Sequence, residues 1–119
     1  MDTILVVDDD RTFTGLLKTI FELEGYHTEI LKDPGGVIDD ARRIEPVLIL
    51  MDVHTGRENT LDTLRALKSD PDLKRIPVVM TSGIDHSEEC YTAGAETFIL
   101  KPFRPSELLQ RIDEMLGNR

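Results

Sequence analysis

Four polar groups stand directly after apolar runs of strand length. Asp8-Asp9-Asp10 follows Ile4 to Val7, Asp52 follows Val47 to Met51, Thr81-Ser82 follows Ile76 to Met80, and Lys101-Pro102 follows Phe98 to Leu100. Brought together, they would form a cluster of carboxylates, a hydroxyl and one ammonium. Carboxylates packed closely repel one another, which raises their pKa values and costs stability. A hard divalent cation cancels that cost. Mg²⁺ takes oxygen ligands, needs few protein carboxylates, keeps several waters and favours phosphate oxygens. One aspartate of such a cluster can attack a phosphoryl group and form an acyl phosphate. The cation, Lys101 and a hydroxyl would then stabilise charge on the equatorial oxygens.

These residues meet only if the apolar runs are parallel strands of one sheet. Thr3–Val7 is nearly continuous in apolar character, as a strand buried on both faces requires. Phe13, Leu16, Leu17, Ile20 and Phe21 follow at helical spacing, with Asp10 to cap the start and Gly25 the end. Thr28–Leu31 reads as a strand, and Asp33-Pro34 opens a helix carrying Val37, Ile38 and Ala41, which exits at Pro46. Val47–Met51 is the most apolar strand. Residues 53–60 read as a loop, and Leu61, Leu64 and Leu67 as a helix closed by Asp70-Pro71. Ile76–Met80 is the fourth strand, a short helix spans about Glu88–Ala93 and ends at Gly94, and Phe98–Leu100 is the fifth strand. Pro105 then suits the first turn of a last helix bearing Leu108, Leu109, Ile112 and Met115. Strands alternating with helices imply parallel strands, right-handed crossovers and an open sheet covered on both faces. In such sheets the site lies outside the carboxyl ends of the strands.

Composition narrows the function. The 119 residues suit one domain, 1–119, and 39% hydrophobic with 31% charged residues suits a packed globular chain. A net charge of −9 argues against direct nucleic-acid binding, which draws on Lys and Arg at phosphates, and favours a basic partner or a bound cation. Cys90 is the single cysteine, so no internal disulfide is expected. It reads as a small core or helix-surface residue. No basic region precedes the short apolar run at the start, so neither a signal peptide nor a membrane span is expected, and a cytoplasmic location is.

The stretches ILVVDDD, VLILMD, IPVVMTSG and AGAETFILKPF, in that order and each at a strand end, resemble the receiver domain of two-component response regulators over essentially the whole chain. The resemblance implies a flavodoxin-like α/β fold with a doubly wound five-stranded sheet in the order 2-1-3-4-5. It implies Asp52 as phosphoacceptor, Asp9 as a direct Mg²⁺ ligand with Asp8 assisting through water, and the backbone carbonyl of His54 as a further ligand. Lys101 would pair with the phosphoryl group or Asp52, and Lys101-Pro102 would be cis. Ser82 would be the hydroxyl contacting the phosphoryl group, with Thr81 its alternative, and Phe98 the aromatic switch. The implied partners are a histidine kinase or histidine phosphotransfer protein and an unidentified output protein. The implied behaviour is that of a switch that assists its own phosphorylation, not a turnover enzyme.

The sequence also departs from that pattern. After the phosphoacceptor the family usually carries a loop like MPGMDG, whereas here Thr55-Gly56-Arg57-Glu58-Asn59-Thr60 stands there. The span from Ser82 to Gly94 is tight for a loop plus a helix, which suggests an altered docking surface. His27, His54 and His86 lack ligand spacing and read as exposed polar residues. Two other functions compete. Asp8-Asp9-Asp10-Arg11-Thr12 resembles the D-x-D-x-T nucleophile motif of haloacid-dehalogenase-like phosphatases, with Asp8 as nucleophile. However, only Glu107, Asp113 and Glu114 follow Lys101, all in the last helix. A receiver-like interaction module that does not switch is the other; a pure scaffold has no physical need for so costly a cluster.

Overall fold

The computed structural model describes residues 2–117, so Met1, Asn118 and Arg119 lie outside the described residues. The main sheet holds β1 (Thr3–Val7), β2 (His27–Leu31), β3 (Leu48–Asp52), β6 (Val78–Ser82) and β7 (Thr97–Leu100). They pair in parallel in the order β2-β1-β3-β6-β7. This is the expected order 2-1-3-4-5 once β4 (His54–Thr55) and β5 (Glu58–Asn59), which form a separate antiparallel hairpin, are set aside.

Side-chain alternation along the strands divides the core in two. Leu5 and Val7 of β1, Ile49 and Met51 of β3, and Val78 and Met80 of β6 face one layer, formed by α2 (Val37–Ile44), α3 (Leu61–Ser69) and α4 (Ser87–Thr92). Ile4 and Val6, Leu48 and Leu50, and Val79 face the other layer, where Leu17 and Phe21 of α1 (Arg11–Leu23) meet Leu108 and Ile112 of α5 (Pro105–Leu116). The central strands are sealed on both faces, which is why they read as continuous apolar runs.

Local chemistry sets the helix ends. The Asp10 carboxylate accepts from the Phe13 N–H at 3.0 Å and caps α1. Asp33 accepts from the Gly35 N–H at 2.9 Å and starts a 3₁₀ turn, Pro34–Gly36, that leads into α2. Beyond α4, Gly94 takes φ 109°, a left-handed conformation that suits glycine.

Several boundaries differ from the sequence reading. The fourth strand of the sheet runs Val78–Ser82, not Ile76–Met80, and carries two buried polar residues, Thr81 and Ser82. Residues 53–60 are not merely a loop: they contain the β4–β5 hairpin, which turns at Gly56 with φ 64°. α4 spans six residues, as short as expected. Among the described residues, no helix is long and apolar enough to cross a membrane.

Candidate functional site

The carboxyl ends of β1, β3, β6 and β7 open on one edge of the sheet, as parallel pairing requires. Asp8 sits just beyond β1, where its own N–H donates to the Leu31 carbonyl at 3.0 Å. Asp52 is the last residue of β3 and stands in register with Thr81. Lys101 follows β7, its backbone N–H donating to the Ser82 carbonyl at 2.8 Å.

The three side chains meet through the lysine. Lys101 Nζ donates to Asp52 Oδ2 at 2.9 Å and to Asp8 Oδ2 at 3.1 Å. It also lies 4.3 Å from the centroid of the Phe13 ring, which packs edge-on against Phe103. The Lys101-Pro102 peptide is cis, as expected. The other oxygen of each carboxylate is held by backbone. Asp8 Oδ1 accepts from the Asp10 N–H at 3.0 Å, and Asp52 Oδ1 from the His54 N–H at 3.1 Å.

Burial shapes the charges. Asp8 is 2% exposed, and that desolvation raises its carboxyl pKa above the ordinary value, with the charge of Asp52 adding to it. The Asp10 N–H and Lys101 oppose the rise without cancelling it. For Lys101 burial alone would lower the pKa, but hydrogen bonds to Asp52 and Asp8 outweigh it, so the ammonium is held above its ordinary value.

Asp9 is exposed at the same edge. Among the described residues, no group of three or more His, Cys, Asp or Glu side chains is arranged to hold a metal ion. The donors nevertheless fit a hydrated Mg²⁺, which needs only one or two carboxylates besides water and phosphate oxygens. The supporting observation is a buried carboxylate whose ionisation a single lysine does not fully compensate.

A response regulator receiver domain matches residues 4–113. The chain belongs to this family. The receiver is 34% identical over 122 residues to the transcriptional regulatory protein CpxR of Escherichia coli, covering 98% of this chain and 50% of that protein. It is 32% identical over 119 residues to the DNA-binding response regulator MtrA of Mycobacterium tuberculosis, covering 94% and 51%. The chain thus spans about half the length of these curated relatives. Among solved structures it is similar to the signal receiver domain of a signal transduction histidine kinase from Syntrophus aciditrophicus. That match has a TM-score of 0.88 and 29% identity, and covers 98% and 91% of the two chains. Receiver domains are signalling switches, not classical enzymes.

In this receiver Lys101 touches both Asp8 and Asp52, whereas Asp9 joins no ion pair among the described residues. Ser82 is buried, and its Oγ accepts from the Ile84 N–H at 3.2 Å; Thr81 is buried too, and the register sets it, not Ser82, across from Asp52. Phe98 is 8% exposed and packs in the α2–α3–α4 layer. Cys90 is fully buried in that layer, and burial pushes its thiol up to about 11, with Glu89 adding to the rise, so it is a core residue and no nucleophile.

Two features lay beyond the sequence reading. His86 is not an ordinary exposed polar residue: its ring meets that of His54 edge-on, with centroids 5.4 Å apart, and its Nδ1 contacts Glu89 Oε2 at 3.2 Å. Thr55 and Thr60 are fully buried, and both hydroxyls donate to the Asp52 carbonyl. Their position beside a strand end was the available signal, but hydroxyls in a polar loop do not declare their partners.

Proposed function

We propose that this receiver accepts a phosphoryl group on Asp52, with Mg²⁺, and that the acyl phosphate switches its affinity for a protein partner. The observation that carries the reading is Lys101 bridging Asp52 and Asp8 at the carboxyl edge of the sheet. Asp52 Oδ2 attacks the phosphorus, the bond from phosphorus to the donor breaks, and the donor leaves with that electron pair. Lys101 is within reach of the new phosphoryl oxygens through the atom it already holds. Asp9, Asp52 and the His54 carbonyl would hold Mg²⁺, with Asp8 acting through water. When bound, the cation neutralises charge on the phosphoryl oxygens.

Ser82 is the hydroxyl we assign to the phosphoryl group in the switched state, with Phe98 as the aromatic that responds. A histidine kinase or phosphotransfer protein is the donor we assign. A cavity of about 420 Å³ lined by Phe13, Leu16, Lys101, Pro102 and Phe103 shares Lys101 with the site and would admit part of such a donor. Both carboxylates pair with the lysine, but Asp8 is the more deeply buried of the two and suits a charge partner better than the nucleophile of a phosphatase.

Intact-protein mass spectrometry after incubation with acetyl phosphate and Mg²⁺ tests the reading. One phosphoryl adduct on the wild type, lost with EDTA and absent from Asp52→Asn, is expected. No adduct there, followed by no response to beryllofluoride, would replace it with a non-switching interaction module. An adduct that survives Asp52→Asn would move the nucleophile to Asp8.

A further inference from the structure

The β3 strand loses its β1 partner at the residue that the site depends on most: the register with β1 ends at Val7 and Met51, whereas Asp52 still pairs with Thr81 of β6. The Val53 N–H still donates to the Thr81 carbonyl at 2.9 Å, but the Asp52 carbonyl is taken by two side chains. Thr60 Oγ1 donates to it at 2.8 Å and Thr55 Oγ1 at 3.1 Å. Longer approaches link Thr60 Oγ1 to the Val53 carbonyl at 3.2 Å and Thr55 Oγ1 to the Val7 carbonyl at 3.4 Å. Each hydroxyl has one proton, so the shorter contact marks its main acceptor.

Thr60 departs from local preference to do this. It occupies the N-cap of α3, where a threonine hydroxyl ordinarily accepts from an N–H of the first turn, yet it makes no such bond. Asn59 Oδ1 accepts from the Leu61 N–H at 2.8 Å instead. The Thr60 N–H donates to the Val53 carbonyl at 2.8 Å. The residue therefore grips both ends of the Val53 unit and leaves the first N–H of its helix to the Asn59 side chain. A local rule broken at a strand end points to a role in the site.

That role follows from what the gripped peptides carry. The Asp52 carboxylate is oriented through the His54 N–H, and the His54 carbonyl belongs to the next peptide along the chain. Rotation of the 52–53 peptide would move both. We propose that Thr55 and Thr60 are positioning residues: their hydroxyls lock the Asp52 carbonyl and thereby aim the Asp52 carboxylate and the His54 carbonyl at Mg²⁺. This inference rests on the phosphoacceptor reading above.

The test compares Thr60→Val, which keeps the shape and loses the hydroxyl, with Thr60→Ser, which keeps the hydroxyl. The first readout needs no phosphodonor: the Mg²⁺ concentration that produces a given rise in melting temperature over the metal-free protein. The second is the Mg²⁺ concentration that half-saturates phosphorylation by acetyl phosphate, followed by intact mass. Thr60→Val is expected to raise both concentrations about 10- to 100-fold, the usual cost of losing a group that orients a metal ligand. Thr60→Ser is expected to stay close to wild type. A Thr60→Val protein that melts lower but needs no more Mg²⁺ would reduce the hydroxyl to a structural role and overturn the proposal. Should Thr60→Val not fold, Thr55→Val, which removes one of the two donors, decides the question by the same readouts. Wild-type protein that shows neither a Mg²⁺ shift nor an adduct overturns the phosphoacceptor reading itself, and the two failures are thereby distinct.

Discussion

The imidazole of His86 stands edge-on to that of His54, joining the loop after β6 to the turn that follows Asp52. His86 is in turn held by Glu89 at the start of α4, whose carboxyl stays below its ordinary pKa chiefly through the hydrogen bond with His86. The contact ties the short α4 to the phosphoacceptor turn through side chains alone.

His54 follows Asp52 by two residues and its N–H donates to Asp52 Oδ1 at 3.1 Å, so under the proposed function its side chain would influence how water reaches an acyl phosphate there. His54→Asn is expected to change the dephosphorylation rate and leave phosphorylation competent. His86→Ala, which frees the His54 ring, is expected to shift the same rate in the same direction by about 2- to 10-fold, the worth of one aromatic contact. Phosphoryl loss followed by intact mass after donor removal gives both rates, and two unchanged rates would sink the idea.

Asp8 is a liability to the fold at neutral pH. Its folded pKa is raised above the ordinary 3.8 by burial, so its favourable contribution is present below the unfolded value and lost as pH rises through the folded one. Asp8→Asn is therefore expected to raise the metal-free melting temperature near pH 7 by a few degrees, about 4 °C per kcal/mol for a chain of this size. The advantage should shrink as pH falls toward 3.8. Added Mg²⁺ should raise the wild type more than this variant at matched ionic strength. Thermal melts at several pH values check all three points.

Lys101→Met leaves the Asp8 carboxylate buried without its cation. Breaking a buried pair costs about 3 kcal/mol or more, and the partial exposure of Lys101 places this one at the lower end. The variant should recover stability as pH falls, because protonating Asp8 removes the unpaired charge. In the wild type the lysine's own contribution has the same sign but a different range: it is lost only as pH climbs through a folded pKa above 10.5. A variant whose melting temperature is independent of pH across the acid range would contradict the ion-pair account.

Gly94→Ala tests a part of the fold remote from the site. A Cβ there would lie 2.8 Å from Lys68 Cγ, at a φ of 109° that alanine resists. Lys68 cannot retreat freely, since its Nζ holds the Ile76 carbonyl at 2.7 Å and Glu96 at 2.8 Å. A loss of about 1–3 kcal/mol in denaturant unfolding is expected, and an unchanged midpoint would mean the loop relaxes.

The parallel sheet and the convergence of Asp8, Asp52 and Lys101 were legible because strands buried on both faces leave continuous apolar runs, and polar residues ending such runs stand out. The fourth strand was placed two residues early for a related reason. Ile76 is apolar and packs in the core, yet the ladder begins only at Pro77, whose carbonyl accepts from the Ile49 N–H. At the other end Thr81 and Ser82 look like a strand exit, although both are buried within β6. The β4–β5 hairpin was illegible because it is two paired residues on each side of a left-handed Gly56, with no alternation of apolar residues to announce it. The contact between His54 and His86 joins residues far apart in the chain, and no local pattern carries such a signal.

Lys101 meets partners 93 and 49 positions away in the chain. Such contacts close late, because the entropy of the intervening loops must be spent first. A growing or partly assembled polypeptide that already has β1 and β3 still lacks the cation that belongs between them. Under the proposed function, competence to carry a signal would wait for completion of the last strand, and the half-made molecule would stay silent.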